Sequence, residues 1–327
     1  MKHKVILTQR YQEEAIQQLQ EVYDLVIVEG SGKTTAAILA QHPDAEALIS
    51  FLSDKVDRSL IDLGQNLKVI ANYAVGYNNI DVAHALTKGI LVTHTPDVLT
   101  DATADFTMAL LLAVARHVVA GDTLTRAGKF TGWGANLLLG KELRGCSLGI
   151  IGLGRIGLAT ALRAKSFGMN ILYYSRSRKN QLENQYDLTY LPFDQLVKTA
   201  DVISLHIPAT TETHHLFNKE VLDLMKKDAI FLNVARGDLV DESYLAEKLA
   251  HNPLFSAGLD VYEQEPRVTE TLKTLTNVVL APHLGSATYK ARMAMAQLTI
   301  NNVNAALTGM TPPNLVKECI NAKHQKL

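Results

Sequence analysis

The sequence predicts an α/β fold of two domains, one of which is doubly wound around a parallel sheet. Short apolar segments alternate with helical patterns along most of the chain, an order typical of parallel sheets covered by helices. Three glycines at G-x-G-x-x-G spacing, Gly152, Gly154 and Gly157, separate the apolar run Leu148–Ile151 from a helical pattern. A length of 327 residues favours about two domains.

Residues 1–97 form the first alternating segment. Its candidate strands are Val5–Leu7, Leu25–Val28, Ala47–Phe51, Val69–Ala71 and Ile90–Val92. The helical patterns between them are Gln12–Glu21, Thr34–Gln41, Asp57–Leu63 and Ile80–Leu86. This alternation predicts a parallel sheet with helices on its faces. Glu29–Lys33 resembles half of a P-loop, but it lacks the upstream glycine, so we expect no phosphate loop there.

A turn-rich break at Thr95–Asp101 ends this segment. We predict a helix over Ala102–Val119, buried because it is apolar on most sides. Its most apolar part, Met108–Ala115, is too short to span a bilayer. The following stretch, Ala120–Arg144, is Gly-rich, is predicted to be irregular and contains the single tryptophan, Trp133.

The second alternating segment runs from Cys146 to about Ala281 and predicts a six-stranded, doubly wound Rossmann domain. Its strands are Leu148–Ile151, Asn170–Tyr174, Val202–Leu205, Ala229–Asn233, Ser256–Asp260 and Val278–Leu280. A long amphipathic helix, about Ala287–Leu307, follows with Met293, Leu298 and Ile300. We therefore expect a cofactor domain at 99–287. A flavodoxin-like substrate domain is expected from both chain ends, 1–98 and 288–327.

Composition narrows the possible partners and the compartment. A net charge of −1 gives no electrostatic reason to expect nucleic acid or an anionic membrane as partner. Cys146 and Cys319 make neither a disulfide framework nor a metal cluster, so we expect a reducing, cytoplasmic location and no metal. Met1–Thr8 is predicted to be a first strand rather than a signal peptide.

The glycine motif has a specific physical role between a strand and a helix. Gly152 permits a tight turn, Gly154 lets a pyrophosphate approach the backbone, and Gly157 lets the helix pack close to the strand. The free N–H groups of the helix then face the phosphates. The motif predicts a dinucleotide site, and the alternative is an ordinary strand–turn–helix corner.

Three ionisable residues follow strands of the second segment. Arg236, Glu265 and His283 come after the strands that end near Asn233, Asp260 and Leu280. Ligands of open α/β sheets lie beyond the carboxyl ends of the strands. Singly, the three could be a surface arginine, a solvated carboxylate and a helix-entry histidine. Together they predict an active site beside the cofactor.

Several motifs in order give the chain a family resemblance over nearly its whole length. They are A-V-G-Y-N-N-I-D at 74–81, T-A-D-F-T-M-A-L-L-L-A at 103–113, G-L-G-R-I-G at 152–157, N-V-A-R-G at 233–237, G-L-D-V-Y-E-Q-E-P at 258–266 and A-P-H-L-G-S-A-T at 281–288. With them the chain resembles the D-isomer-specific 2-hydroxyacid dehydrogenases, and within that family most closely the glyoxylate/hydroxypyruvate reductases.

The resemblance implies a role for each candidate catalytic residue. Arg236 would bind the substrate carboxylate and polarise the reacting carbonyl, for which a planar fork of donors is suited. His283 would protonate the carbonyl oxygen as hydride arrives on the carbon. Glu265 would orient that imidazole and favour its charged form. The backbone N–H groups of Val75 and Gly76 would hold the substrate carboxylate from the other domain.

The resemblance also implies a set of cofactor-binding residues: Thr103, Gly152, Leu153, Gly154, Arg155, Ile156, Gly157, Ser175, Arg176, Ser177, Pro208, Val234, Ala235, Asp260 and Gly285. Asp260 has two interpretations, a contact to the nicotinamide carboxamide or a cap on local backbone. We expect His206 to be a packed residue at the sheet edge, and His214 and His215 to be solvated. The resemblance implies that Trp133 reaches a neighbouring subunit's substrate pocket, although W-G-A stands here where similar reductases have W-x-P.

The residues after the second strand of the Rossmann domain predict the type of cofactor. An NAD site needs a carboxylate about 20 residues beyond the first glycine. Here Ser175 stands in that place, followed by Arg176 and Arg178. Serine and arginines suit a 2′-phosphate, so NADP(H) is favoured and NAD(H) is possible. The alternative is that the arginines form a solvated corner.

The leading hypothesis is a homodimeric reductase that acts on a small 2-oxo acid, glyoxylate or hydroxypyruvate, to give the D-2-hydroxy acid. One alternative is a broad-range D-2-hydroxyacid dehydrogenase acting on larger oxo acids. Another is a non-catalytic NAD(H)-sensing scaffold similar to the related corepressors. Formate dehydrogenases are disfavoured because they carry glutamine where Glu265 stands. Phosphite dehydrogenases are disfavoured too, because they carry a lysine in the loop that is Ala74–Gly76 here.

Overall fold

A computed structural model of the chain describes residues 2–29 and 34–324, and the chain forms two compact units. The first unit consists of Met1–Leu99 and Thr288–Leu327, and the second of Thr100–Ala287. The P-loop-like segment Glu29–Lys33 lies, except for Glu29, outside the described residues.

The described part of the first unit contains a five-stranded sheet in which all neighbours are parallel. Its strands are β1 (Lys4–Leu7), β2 (Asp24–Ile27), β3 (Ala47–Ser50), β4 (Val69–Asn72) and β5 (Leu91–Thr93). The helices between them are α1 (Glu13–Val22), α2 (Thr35–Gln41), α3 (Arg58–Leu63) and α4 (Val82–Thr87). The strand order β2-β1-β3-β4-β5 is that of flavodoxin-like folds, which confirms the predicted class.

The second unit begins with two helices and continues as a Rossmann alternation. Its helices are α5 (Thr100–Ala115), α6 (Val118–Arg126), α7 (Arg155–Ser166), α8 (Asn180–Tyr186), α9 (Phe193–Thr199), α10 (Lys219–Leu224), α11 (Glu242–His251) and α12 (Glu270–Thr274). Its strands are β6 (Ser147–Ile151), β7 (Asn170–Tyr174), β8 (Thr189–Tyr190), β9 (Val202–Leu205), β10 (Ile230–Asn233), β11 (Ser256–Leu259) and β12 (Val278–Leu280).

These strands form one parallel sheet in the order β12-β11-β10-β9-β6-β7-β8, which confirms the doubly wound fold. The prediction of six strands is wrong, because Thr189–Tyr190 pairs with β7 as a seventh. A two-residue strand is too short to show alternation in a sequence. The two apolar faces are covered by helices and contain Phe231 and Leu196 on one side and Leu148 and Leu232 on the other.

The predicted single helix over Ala102–Val119 is two helices in the structure. α5 ends at Ala115, and His117 adopts a left-handed φ of 52° before α6 begins. α6 also occupies part of the stretch that we predicted to be irregular. The apolar segment Met108–Ala115 is largely buried, as expected, and α5 packs against α7, β10 and β11.

No single helix in residues 2–29 and 34–324 is long and apolar enough to cross a membrane. The bent pair of α5 and α6 passes that test together, by length and composition only.

The chain returns to the first unit through α13 (Tyr289–Leu307) and α14 (Lys317–His324). α13 packs on α1 and β4. Its buried face runs through Ala291, Met295 and Thr299, at helical spacing of four residues. The helix predicted at about Ala287–Leu307 is present, and the apolar residues Met293, Leu298 and Ile300 are only partly buried in it.

Candidate active site

Two glycines of the G-x-G-x-x-G motif, Gly152 and Gly154, lie between β6 and the twelve-residue helix α7, and the third, Gly157, lies in the first turn of α7. Gly152 has a φ of +99°, and a Cβ there would lie 2.7 Å from the His206 carbonyl oxygen. A Cβ on Gly157 would lie 2.2 Å from the Gly152 carbonyl oxygen. At Gly154, by contrast, no described atom outside its immediate neighbours comes within 4 Å of an added Cβ. Two glycines are therefore required by packing, while the third leaves open space that a pyrophosphate can approach, so these residues fit a dinucleotide.

The remaining predicted cofactor residues of the second unit occupy the same edge of its sheet. Ser175 follows β7, and its Oγ accepts a hydrogen bond of 3.3 Å from the Leu153 N–H. Arg155 and Ile156 open α7, and Arg176 and Ser177 are exposed after Ser175. Pro208 follows β9, whereas Val234 and Ala235 follow β10.

The two arginines after β7 have different surroundings. Arg178 forms an ion pair with Glu183 at 2.7 Å and lies over the ring of Tyr190. Hydrogen bonds from Arg178 and Tyr173 lower the pKa of Glu183 to about 2. The guanidinium of Arg178 is thus held by a carboxylate, while Arg176 interacts with Glu212 through charge and is exposed.

Arg236 stands at the carboxyl end of β10 in a tightly bonded loop. Its Nη1–H donates to the Ala235 carbonyl at 2.7 Å. The Asn233 side chain accepts from the Ala235 N–H at 3.1 Å and donates to the Arg236 carbonyl at 2.8 Å. Burial lowers the pKa of the guanidinium, and the charges of Glu265 and Asp238 oppose that shift. Asn233, whose side chain shapes this loop, was not predicted from the sequence.

His283 and Glu265 form a hydrogen-bonded pair. His283 Nδ1 and Glu265 Oε2 are 3.0 Å apart, and Glu265 Oε1 accepts the Tyr262 N–H at 3.0 Å. Burial raises the pKa of Glu265, but the His283 hydrogen bond and charge, the Tyr262 N–H and the Arg236 charge outweigh it, so the pKa is lowered. Glu265 is therefore ionised at neutral pH, and it links the imidazole electrostatically to Arg236.

Asp260, at the end of β11, is fully buried and bonded to the segment that follows His283. Its Oδ1 accepts the Leu284 N–H at 2.6 Å and its Oδ2 accepts the Gly285 N–H at 2.8 Å. Burial raises its pKa, and the two N–H groups oppose the rise. A Cβ on Gly285 would lie 3.3 Å from both Asp260 and Thr103, so these three residues are packed together. The geometry corresponds to the local capping interpretation of Asp260.

Val75 and Gly76 lie in the first unit, beyond the carboxyl end of β4. His94 Nδ1 is 2.9 Å from the Val75 carbonyl oxygen, and the Asn72 side chain donates to the Gly76 carbonyl at 2.9 Å. These bonds hold the peptide groups on both sides of Gly76. His94 was not predicted, since a histidine after a strand gives no sign in the sequence of the distant carbonyl that it bonds. The substrate role of Val75 and Gly76 stays a prediction.

The other histidines of the second unit differ from expectation in one case. His206 is packed, with its Nε2 2.9 Å from Ser204 Oγ, and burial lowers its pKa to about 3. His215, which we expected to be solvated, is only partly exposed, because its Nε2 lies 2.9 Å from Glu263 Oε1 and its ring stacks on His214. Trp133 is 88% exposed. Its contact to a second subunit, like the homodimer and the cytoplasmic location, stays a prediction.

Comparison with known proteins gives consistent matches over nearly the whole chain. The family described as "D-isomer specific 2-hydroxyacid dehydrogenase, NAD binding domain" matches residues 108–285. The glyoxylate reductases of Thermococcus litoralis and Pyrococcus furiosus are each 46% identical over 323 residues, which is 97% of this chain and 98% and 96% of theirs. The NADPH-dependent glyoxylate/hydroxypyruvate reductase of Sinorhizobium meliloti, solved with NADP and malonate, is 33% identical, with a TM-score of 0.89 over 98% of each chain.

The unequal packing of the glycines yields a prediction that needs no turnover. Gly154→Ala should leave thermal unfolding unchanged but weaken NADPH binding about tenfold or more, because the new methyl group occupies the space open to the pyrophosphate. Gly157→Ala is the matched variant and should lower the melting temperature, since its Cβ meets the Gly152 carbonyl. Calorimetric titration and thermal unfolding measure the two effects. Wild-type affinity in Gly154→Ala would contradict the proposed site.

Proposed function

The chain belongs to the D-isomer specific 2-hydroxyacid dehydrogenase family, and from that premise we propose that it reduces glyoxylate or hydroxypyruvate with NADPH, with His283 as proton donor. At the coarser level it is an NAD(P)-dependent oxidoreductase and a 2-oxo acid reductase. The observation that carries the proposal is the His283–Glu265 pair at 3.0 Å, electrostatically linked to Arg236 at the sheet edge that holds the glycine motif.

Arg236 is proposed to bind the substrate carboxylate. A guanidinium offers parallel donors that match a carboxylate, and it keeps its charge when partly buried. Asn233 bonds the Ala235 N–H and the Arg236 carbonyl, and these two bonds limit the movement of the Arg236 backbone from which the guanidinium side chain extends. Such restraint orients the 2-oxo acid, and orientation is a large part of catalysis in a site of this kind.

His283 is proposed to deliver a proton to the substrate carbonyl oxygen. Its Nδ1 is turned to Glu265, so Nε2 is the nitrogen that can carry the transferred proton. The Glu265 carboxylate stabilises the imidazolium form from which that proton leaves. Bound reduced nicotinamide would supply the hydride that reaches the carbonyl carbon.

The first test is a substrate panel with the wild-type enzyme. We expect turnover of glyoxylate and hydroxypyruvate with NADPH, and a lower kcat/KM for 2-oxo acids with longer side chains. Oxidation of NADPH followed by absorbance measures both. A preference for the longer acids would favour the broad-range dehydrogenase. Tight NADPH binding without turnover of any 2-oxo acid would contradict the proposed reaction.

Replacing the proton donor is the second test. His283→Asn should lower kcat by about 10²–10⁴-fold, the usual scale for loss of acid–base catalysis, with NADPH affinity little changed. Asparagine suits this position because His283 has a φ of 56°. His215→Asn is a matched control, since His215 also has a positive φ and bonds a glutamate of the same loop. Equal losses in both variants would refute the assigned role.

The third test concerns the cofactor. Arg176→Ala should reduce kcat/KM for NADPH about tenfold and spare that for NADH, because the exposed guanidinium is proposed to face the 2′-phosphate. Arg178→Ala is the control, since its guanidinium is already paired with Glu183. Steady-state kinetics with both cofactors measure the ratio. A wild-type enzyme that prefers NADH tenfold would overturn the NADPH preference.

A further inference from the structure

We propose that Glu242 is a positioning residue that fixes the turn carrying Glu265, and through it the orientation of the His283 imidazole. This inference rests on the proposed function, because it presumes that the His283–Glu265 pair is catalytic. Glu242 is the first residue of α11 and precedes both members of that pair in the sequence. It is only 7% exposed.

Three donors converge on the Glu242 carboxylate. Its Oε2 accepts the Glu263 N–H at 2.9 Å. Its Oε1 accepts the Thr269 N–H at 3.0 Å and the Thr269 hydroxyl at 2.6 Å. One oxygen thus bonds the chain before Glu265 and the other bonds the chain after it.

The segment between these two anchors is a tight turn. The Arg267 N–H donates to the Gln264 carbonyl at 2.8 Å, and the two residues form an antiparallel bridge. Glu265 and Pro266 therefore occupy the tip, and Glu242 spans the base. Since Glu265 reaches His283 from this tip, a change at the base moves the carboxylate that orients the imidazole.

The residues that enter the turn, Tyr262 and Glu263, also pack against the loop that carries Arg236. A Cβ on Gly237, the residue after Arg236, would lie 1.9 Å from the Tyr262 carbonyl carbon. The backbone of Tyr262 and Glu263 is therefore held between the Arg236 loop on one side and the Glu242 carboxylate on the other. Loss of the Glu242 hydrogen bonds would therefore let the backbone of Tyr262 and Glu263 shift.

The chemistry of the donors explains why a carboxylate is needed. All three partners donate, and a carboxylate only accepts, so each finds a lone pair. An amide of the same shape would turn an NH₂ group toward at least one of these donors, which costs one bond and leaves a buried donor unsatisfied. Glu242→Gln is therefore a nearly isosteric change that weakens the base of the turn.

The kinetic test uses Glu242→Gln with glyoxylate and NADPH. We expect kcat to fall about 10- to 100-fold, the effect of misplacing a catalytic group, while KM for NADPH stays near the wild-type value. In a Glu265→Gln background the same substitution should cost almost nothing more, because the residue acts through Glu265. Glu220→Gln, an exposed acid in the first turn of α10, is the control and should have wild-type kinetics.

A second variant and a second readout keep the inference testable if Glu242→Gln folds poorly or if no 2-oxo acid is turned over. Thr269→Val removes only the hydroxyl donor and should produce a smaller loss of the same kind. NMR titration of labelled His283, which faces Glu265 and Asp260, needs no turnover, and in Glu242→Gln its curve should shift toward that of Glu265→Gln. Absence of turnover with this shift present would refute the proposed function alone. A wild-type curve, or a loss of kcat that adds independently to that of Glu265→Gln, would overturn the positioning role.

Discussion

The parallel direction of every strand pair in the second sheet is the constraint on which the site depends. Because the strands share one direction, each segment that follows a strand emerges at the same edge. Four segments therefore lie at this edge, although Gly152 and His283 are 131 positions apart in the chain: the glycine turn after β6, the Arg236 loop after β10, the Glu265 turn after β11 and His283 after β12. Register then brings neighbouring loops within hydrogen-bonding distance, as the bond from the His283 N–H to the Asp260 carbonyl at 2.9 Å illustrates.

Sequence periodicity was sufficient for the parts of the fold that depend on local burial. The strands Asn170–Tyr174 and Val202–Leu205 agree with the structure to the residue, since each is a short, largely apolar run between turn residues. β8 and the break at His117 were missed because neither is set by local pattern. The two-residue strand β8 forms only because it pairs with β7, and the left-handed backbone conformation of His117 cannot be recognised from the neighbouring sequence.

The site shows the same division. Arg236, Glu265 and His283 could be predicted because three ionisable groups follow three strands of the sheet that carries the glycine motif, whereas nothing comparable points to Glu242, Asn233 or His94. Glu242 and His94 bond backbone groups that are distant in the sequence, and Asn233 bonds a loop whose shape depends on tertiary packing. In the sequence, an acid at the start of a helix is also indistinguishable from one that only complements the helix dipole. Groups that hold a loop in place are recognised only when the donors of that loop are known.

Two histidines bond glutamates of the same turn, and the comparison shows why residue identity alone does not define a catalytic site. His215 and His283 both have positive φ, and each bonds a carboxylate of the segment 263–265, at 2.9 and 3.0 Å. Their surroundings differ. His215 stacks on His214, while Glu265, the partner of His283, also interacts with the Arg236 charge, and the His283 backbone is bonded to Asp260. Of the two histidines, His283 is the one whose glutamate partner also interacts with the Arg236 charge, and this combination, rather than the pair itself, supports the proposed proton transfer to a 2-oxo acid.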